Sequence, residues 1–166
     1  MESSPGGGTT FEIFLPLREA PAAAAQAVVA DIRGGTETIL VVEDEPSVRR
    51  VTRRLLAAQG YRILEAESGD EALRMYAEHR AEIALVLTDL VMPGDVNGRE
   101  LAKRLTESDP RIRVIFMSGY SAEVAGRELD LHVGENFLPK PFTRVELLAT
   151  IRRALDRPQA SGPASL

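Results

Sequence analysis

Short apolar runs alternate with amphipathic segments along most of the chain. Five of these runs are three to six residues long and rich in β-branched and other apolar residues. This pattern is typical of strands that are buried on both faces of a parallel sheet. The five predicted strands cover residues 39–42, 61–66, 83–87, 114–117 and 136–138.

The segments between and after these strands predict five helices. Apolar residues recur every three or four positions after Pro46, a residue that suits a helical first turn. Ser68 is a predicted N-cap, and Thr143 followed by Glu146 predicts a capping box. The predicted helices follow Pro46 and Ser68, cover residues 98–105 and 121–129, and run from Thr143 to residue 155.

Five strands that alternate with five helices define an α/β domain with a doubly wound parallel sheet and right-handed crossovers. In such sheets, ligands bind at the carboxyl ends of the strands, near the topological switch point. The first polar residues after each strand are therefore the candidates for chemistry.

Four strand ends carry groups that could act together. The first strand is followed by Glu43 and Asp44, the third by Asp89, the fourth by Ser118 and the fifth by Lys140. Neighbouring carboxylates repel each other unless a cation neutralises them, and an oxygen-only ligand set suits Mg²⁺. Asp89 could then serve as a nucleophile that forms an aspartyl phosphate, while Lys140 and Ser118 hold the phosphate oxygens.

At these residues the sequence resembles the response-regulator receiver domain of two-component signalling, over roughly residues 36–157. Four motifs carry the resemblance, each at the expected strand end. They are VVEDEP at 41–46, TDLVMP at 88–93, MSGY at 117–120 and LPKPF at 138–142. The resemblance implies a flavodoxin-like fold with strand order 2-1-3-4-5.

The resemblance also implies which residues accept the phosphoryl group and bind the metal. Asp89 would receive it from a phosphohistidine on a histidine kinase or a phosphotransfer protein. Mg²⁺ would be surrounded by Glu43, Asp44, Asp89 and the carbonyl group of Val91. The function that it implies is a Mg²⁺-dependent phosphorelay receiver, with at most slow autodephosphorylation of its own.

A switch is implied by the same resemblance. Phosphate on Asp89 would draw the Ser118 hydroxyl and the Lys140 ammonium toward it, and Phe137 would be repositioned. The bond before Pro141 would be a cis peptide. Phosphorylation would thereby change a protein-interaction surface.

Three features depart from the family's usual pattern. Glu43 stands where many members carry Asp, so its extra methylene would place this ligand one water further from the metal. The stretch 94–98 is one residue longer than usual and leaves the role of Asp95 open. Phe137 lacks the hydroxyl of the tyrosine that is also common at its position.

A second resemblance, at residues 6–17, is to the end of a histidine-kinase ATP-binding domain, where a glycine-containing loop leads into the last strand. This resemblance implies that residues 1–17 are a remnant of that domain, with a strand-like stretch at 11–17. Residues 18–35 would be a linker, 36–157 the receiver and 158–166 a flexible tail. The implied parent is a hybrid sensor histidine kinase.

Composition narrows the function further. The chain has 166 residues, 44% of them hydrophobic and 27% charged, which is within the range of globular domains. It has no cysteine, and its formal net charge of −5 disfavours nucleic-acid binding. No apolar run is long enough to span a bilayer, so no membrane contact is expected in this fragment and the expected location is cytoplasmic. The sequence leaves the oligomeric state open.

One alternative also uses an aspartyl phosphate and Mg²⁺ on a doubly wound sheet. This is a phosphatase of the haloacid-dehalogenase kind. That family carries a second aspartate two residues after its nucleophile as a general acid, and here that position is Val91. The sequence therefore favours the receiver.

Overall fold

The computed structural model describes residues 2–4, 8–10, 12, 33–119 and 131–158. The chain separates into two compact units, Met1–Ala30 and Asp31–Leu166. The predicted helix 121–129, the linker before residue 33 and the tail after residue 158 lie outside the described residues. So does the strand-like stretch 11–17, except for Glu12, which is exposed and has no regular secondary structure.

The first unit contains an antiparallel pair of strands, β1 (Glu2–Ser4) and β2 (Gly8–Thr10). Glu2 lies opposite Thr10, and Ser4 lies opposite Gly8. The hydropathy pattern does not predict this pair, because the paired residues are Glu, Ser, Gly and Thr and show no apolar alternation. The pairing is defined by its backbone register.

The second unit is built on a five-stranded parallel sheet, which confirms the predicted fold class. Its strands are β3 (Thr38–Val42), β4 (Arg62–Ala66), β5 (Ile83–Asp89), β6 (Arg113–Ser118) and β7 (Phe137–Pro139). They lie in the order β4-β3-β5-β6-β7, and each neighbouring pair is parallel. Counted along this sheet alone, the order is 2-1-3-4-5, as expected.

Four described helices cover the two faces of the sheet. They are α1 (Pro46–Ala57), α2 (Gly69–His79), α3 (Gly98–Ser108) and α4 (Arg144–Asp156). One buried cluster joins Ile39 and Val41 of β3 to residues of α1 and α4. The other joins Leu40 and Val42 to residues of α2 and α3. Consecutive residues of β3 therefore point into opposite cores, which explains its uninterrupted apolar run.

Side-chain caps fix where the helices begin. The Ser68 hydroxyl accepts a hydrogen bond from the backbone N–H of Glu71, and Thr143 and Glu146 form the predicted capping box. Asn97 caps α3 by accepting from the N–H of Glu100, at 3.0 Å. The Asn97 cap was not predicted from the sequence, although asparagine is among the preferred N-cap residues.

Several elements end at residues other than those predicted. Strand β5 continues two residues beyond the predicted end, because Thr88 pairs with Val42 and Asp89 pairs with Met117 on the two flanking strands. Helix α3 ends at Ser108, three residues beyond the end at residue 105 that its apolar positions predict. The ends of strands are set by such backbone pairing, which the hydrophobic pattern of the sequence does not predict.

None of the described helices combines the length and the apolar character needed to cross a bilayer.

An ion pair joins the approach to β3 to the last helix. Arg152 Nη2 lies 2.9 Å from Glu37 Oε1 and 2.8 Å from Asp156 Oδ1. Burial acts to raise the pKa of Glu37, but the hydrogen bond and the charge of Arg152 outweigh it, and the pKa lies below its ordinary value. Ionised Glu37 therefore stabilises the folded chain.

This pair predicts a component of acid sensitivity. A carboxyl whose pKa is lowered by folding contributes stability above its ordinary value of about 4.3, and that stability is lost as the pH falls through the lowered value. We expect Glu37→Gln to reduce the loss of stability between about pH 5 and pH 3. Urea unfolding over a pH series measures this, with Glu107→Gln, at an exposed position of α3, as the control. A pH dependence identical to that of the wild type would contradict the prediction.

Candidate functional site

Polar residues from four strands meet at the carboxyl edge of the parallel sheet. Glu43 and Asp44 follow β3, while Asp89 and Ser118 are the last residues of β5 and β6. Lys140 follows β7 directly. Because β3 and β5 are neighbours in the sheet, the carboxylates of the first and third predicted strands are brought together.

Lys140 bridges two of these carboxylates. Its Nζ lies 2.6 Å from Glu43 Oε2 and 2.6 Å from Asp89 Oδ2. The Glu43 side chain is only 1% exposed, and those of Asp89 and Lys140 are 13% and 19% exposed. Ion pairs that are shielded from water in this way interact more strongly than exposed ones. The bridge ties together residues that are 97 and 51 positions apart in the sequence.

Asp44 completes a cluster of three carboxylates. One ligand oxygen from each of Glu43, Asp44 and Asp89 lies within 4.8 Å of the others, a grouping that could hold a metal ion. When all three are ionised and Lys140 is protonated, the four groups sum to a charge of −2. A divalent cation bound by oxygen ligands would neutralise that charge.

The site shifts the pKa values of two of its members. Burial, reinforced by the negative charge of Asp89, raises the pKa of Glu43, although Lys140 opposes the shift. Burial of Lys140 acts to lower its pKa, but its hydrogen bonds to Asp89 and Glu43 outweigh this and raise it. Lys140 is therefore held as an ammonium ion, which is the form that can neutralise an anion.

Backbone contacts fix the position of Asp89. Its Oδ1 accepts a hydrogen bond from the backbone N–H of Val91 at 3.1 Å, so both carboxylate oxygens are engaged. Its carbonyl oxygen accepts from the Thr88 hydroxyl at 2.9 Å. Val91 itself is 58% exposed. Asp89 is thus presented by the paired end of β5 rather than by the loop that follows it.

Lys140 is fixed through the neighbouring strand. Its backbone N–H donates to the carbonyl oxygen of Ser118 at 2.7 Å, so the lysine and the serine are adjacent across the end of the sheet. The Lys140–Pro141 peptide bond is cis. The Ser118 side chain is buried at the end of β6.

Phe137, the aromatic residue singled out from the sequence, is fully buried. It packs in a small cluster with Leu90, Ala102 and Phe116. Leu90 directly follows Asp89, so this cluster lies next to the acidic site along the chain. The aromatic ring therefore faces inward in this structure.

The long loop after Asp89 is anchored by its apolar residues. Met92 and Val96 are buried against α2 and α3, while Asp95 between them is exposed. Gly94 has a φ of 102°, a conformation that glycine adopts without strain. Gly94 and Asp95 thus lie at the surface between two buried anchors.

Two residues near the site were missed from the sequence. Arg49 of α1 donates hydrogen bonds to the carbonyl oxygens of Glu43 and Asp44. Its guanidinium group therefore contacts the backbone of the acidic pair. Gly98 lies so close to Asp89 that a Cβ atom at this position would overlap the Asp89 carbonyl oxygen. In the sequence, Arg49 is one arginine six residues after Glu43, and Gly98 is a glycine directly after the α3 cap. Arginines and glycines at such positions are too common to be recognised as parts of a site.

A doubly wound sheet with carboxylates and a lysine at its carboxyl edge is the arrangement expected of a receiver. The family model "Response regulator receiver domain" matches residues 39–152, and the chain belongs to this family. It is a phosphoryl-accepting receiver of two-component signalling. The match gives no support to the haloacid-dehalogenase-like phosphatase.

Two curated relatives illustrate the likeness. The chain is 39% identical over 165 residues to the sensor kinase CckA of Brucella abortus, an alignment that covers 94% of this chain but only 17% of the kinase. It is 33% identical over 117 residues to the response regulator receiver protein CpdR of the same organism, covering 70% of this chain and 95% of that protein.

Solved structures agree with the fold. The receiver domain of the hybrid histidine kinase CckA superposes with a TM-score of 0.60 at 38% identity, covering 72% of this chain and 99% of that one. The response regulator TrrA of Thermotoga maritima, solved in complex with Mg²⁺ and BeF, superposes with a TM-score of 0.61 at 30% identity and with the same coverage.

The contact between Gly98 and Asp89 generates a prediction. We expect Gly98→Ala to displace the Asp89 backbone and to lower the free energy of unfolding by about 1–3 kcal/mol, because the added methyl group has no room. Urea unfolding measures the loss. Gly119→Ala is the control, since a Cβ atom there meets nothing within 4 Å. Equal stability of the two variants would show that the Asp89 backbone yields without cost.

Proposed function

We propose that Asp89 is the phosphoacceptor of this receiver and that its donor is a phosphohistidine on a histidine kinase or a phosphotransfer protein. One observation carries the assignment. The Asp89 carboxylate lies at the carboxyl end of β5, within 2.6 Å of the Lys140 ammonium and inside a cluster of three carboxylates. A nucleophilic oxygen, a metal-binding set and a cation for the phosphate thus occur together.

The proposed reaction is a transfer from nitrogen to oxygen. A carboxylate oxygen of Asp89 forms a bond to phosphorus while the phosphorus–nitrogen bond of the phosphohistidine breaks. The electron pair of that bond returns to the imidazole ring, which takes up a proton. The products are an aspartyl phosphate on this chain and a free histidine on the donor.

Mg²⁺ is the proposed cofactor, held by the carboxylates of Glu43, Asp44 and Asp89 and by the carbonyl oxygen of Val91. The charge of −2 on the three carboxylates and Lys140 and their oxygen-only donor set both favour a hard dication. Bound Mg²⁺ would neutralise the oxygens of the incoming phosphoryl group and so lower the repulsion that Asp89 presents to it.

Lys140 is the residue that we expect to respond to phosphorylation. It has two carboxylate partners, so it can keep Glu43 while its contact with Asp89 is exchanged for a phosphoryl oxygen. The Ser118 hydroxyl would supply a second contact to the phosphoryl group. Ser118 and Lys140 are linked through their backbones, which provides a route from the phosphate toward β7 and Phe137.

The proposed parent is a hybrid sensor histidine kinase in the cytoplasm. The alignment with the sensor kinase spans 165 residues, so it extends beyond the receiver match at 39–152 into the N-terminal segment. This supports assigning residues 1–17 to the end of the kinase ATP-binding domain and 18–35 to a linker. Residues 36–157 form the receiver, and 158–166 form a tail.

Phosphorylation by a small donor tests the acceptor directly. Incubation with acetyl phosphate and Mg²⁺ should add one phosphoryl group of 80 Da on the order of minutes to hours, detected by intact-mass spectrometry, because the acyl phosphate is formed on a single carboxylate. Asp89→Asn should abolish the added mass. Asp95→Asn, in the exposed part of the same loop, is the matched control and should be labelled like the wild type. Full labelling of Asp89→Asn would disprove the assignment.

Metal binding is tested separately by thermal unfolding. Mg²⁺ binds only the folded cluster, so it should raise the melting temperature in a concentration-dependent manner. For Asp44→Asn, the Mg²⁺ concentration needed for the same rise in melting temperature should be at least about tenfold higher, because one carboxylate ligand is lost. Ca²⁺-free buffer with EDTA defines the baseline. An equal response of Asp44→Asn and wild type would mean that Mg²⁺ binds elsewhere.

A further inference from the structure

The acidic pair after β3 lies between two fixed points of the backbone. On one side, the Glu43 N–H donates to the carbonyl oxygen of Ala66 on β4, at 3.1 Å. On the other side, Glu45 is the N-cap of α1. Asp44 is the single residue between these points. The direction of its carboxylate therefore depends on how the peptide groups of this short connection are held.

Arg49 contacts both peptide groups that follow the acidic residues. Its Nη1 donates to the carbonyl oxygen of Glu43 and, at 3.4 Å, to that of Asp44. The Arg49 side chain is only 16% exposed. A hydrogen bond from a charged donor is stronger than one between neutral groups. One nitrogen atom thus orients two successive peptide groups.

The position of Arg49 is set by the helix that carries it. Its backbone N–H donates to the carbonyl oxygen of Glu45 at 3.0 Å, which is the first hydrogen bond of α1. Its Nη2 lies 3.9 Å from Glu67 Oε2, but the Glu67 side chain is 73% exposed, and such ion pairs contribute little. The two carbonyl contacts are therefore the main polar contacts of this guanidinium group.

The charge of Arg49 and its hydrogen bonds have opposite effects on a bound cation. A guanidinium group beside the acidic pair repels a dication that binds there. Hydrogen bonds that orient the ligands of a metal ion, in contrast, strengthen its binding. Neutralising Arg49 would tighten metal binding if the charge dominates, and would weaken it if the orientation of the ligands dominates.

We propose that Arg49 is a positioning residue for Mg²⁺ binding and acts through the backbone of Glu43 and Asp44. This inference rests on the Mg²⁺ site proposed above. By holding two carbonyl groups, Arg49 fixes the peptide groups next to which the two carboxylates branch toward Asp89. Without these contacts the peptide groups can rotate, and the grouping of carboxylate oxygens within 4.8 Å of one another is loosened.

Titration of the full chain with MgCl₂ at constant ionic strength tests this proposal. Amide chemical shifts at residues 43–45 and 89–91 report the affinity of the folded molecules alone, so a loss of stability does not affect them. Arg49→Gln should weaken Mg²⁺ binding at least about tenfold, as the loss of other ligand-orienting contacts does. Arg50→Gln removes the same charge at an exposed position of α1 and should bind Mg²⁺ at least as tightly as the wild type.

Arg49→Lys is the conservative variant. One nitrogen of Arg49 serves both carbonyl oxygens, so the single Nζ of a lysine can take its place. Because an ammonium group has three N–H donors, the Mg²⁺ affinity of Arg49→Lys should lie within about threefold of the wild type. An affinity as low as that of Arg49→Gln would reject the proposal, since the carbonyl contacts would then not be what Arg49 contributes.

A measurement on the wild type covers the case in which Arg49→Gln fails to fold. If the contacts of Arg49 favour metal binding, bound Mg²⁺ favours those contacts to the same extent, because coupling is reciprocal. Mg²⁺ should therefore slow the exchange of the Arg49 guanidinium protons with solvent, relative to those of Arg50, as measured by NMR. Unchanged exchange at saturating Mg²⁺ would contradict the proposal.

Asp44→Asn separates this inference from the metal site on which it rests. If Asp44→Asn is weakened but Arg49→Gln binds Mg²⁺ as tightly as Arg50→Gln, the metal site stands and the positioning role of Arg49 is rejected. This holds even if urea unfolding shows that Arg49→Gln is less stable. If Asp44→Asn binds Mg²⁺ as tightly as the wild type, the proposed metal site fails, and the role of Arg49 fails with it.

Discussion

The structure of the functional edge depends on one ammonium group placed between two carboxylates. Glu43 is almost completely buried, and a buried carboxylate is costly unless a charge or hydrogen bonds compensate for it. Lys140 provides that compensation and also contacts Asp89. The bridge joins the ends of β3, β5 and β7 at the edge that carries the proposed phosphoacceptor.

The parallel sheet makes this arrangement possible. Every strand points the same way, so the residues that follow β3, β5, β6 and β7 are gathered at one edge. Helices on both faces hold the strands through apolar contacts, which leaves polar groups at the two strand edges. The carboxylates of Glu43, Asp44 and Asp89 are thereby collected at the carboxyl edge.

The placement of Asp89 shows how strongly packing constrains the site. Its strand is paired with β3 up to Thr88 and with β6 up to Asp89. Gly98 leaves no space between α3 and the Asp89 carbonyl oxygen. Leu90, the next residue, packs against the inward-facing Phe137. A shift of Asp89 would therefore displace residues of the adjoining core, because close-packed interiors transmit small displacements.

The sequence by itself determined the parallel α/β class, the five strands of the sheet and the motifs at their ends. Hydrophobic periodicity and strand-end chemistry are local properties that can be read along the chain. Only the tertiary structure decided that Lys140 contacts Glu43 and Asp89, that Arg49 lies behind the acidic pair and that β5 extends through Asp89. These features depend on residues far apart in sequence and on backbone pairing between strands. No local pattern encodes the distances between such groups, because those distances arise only when the sheet is assembled.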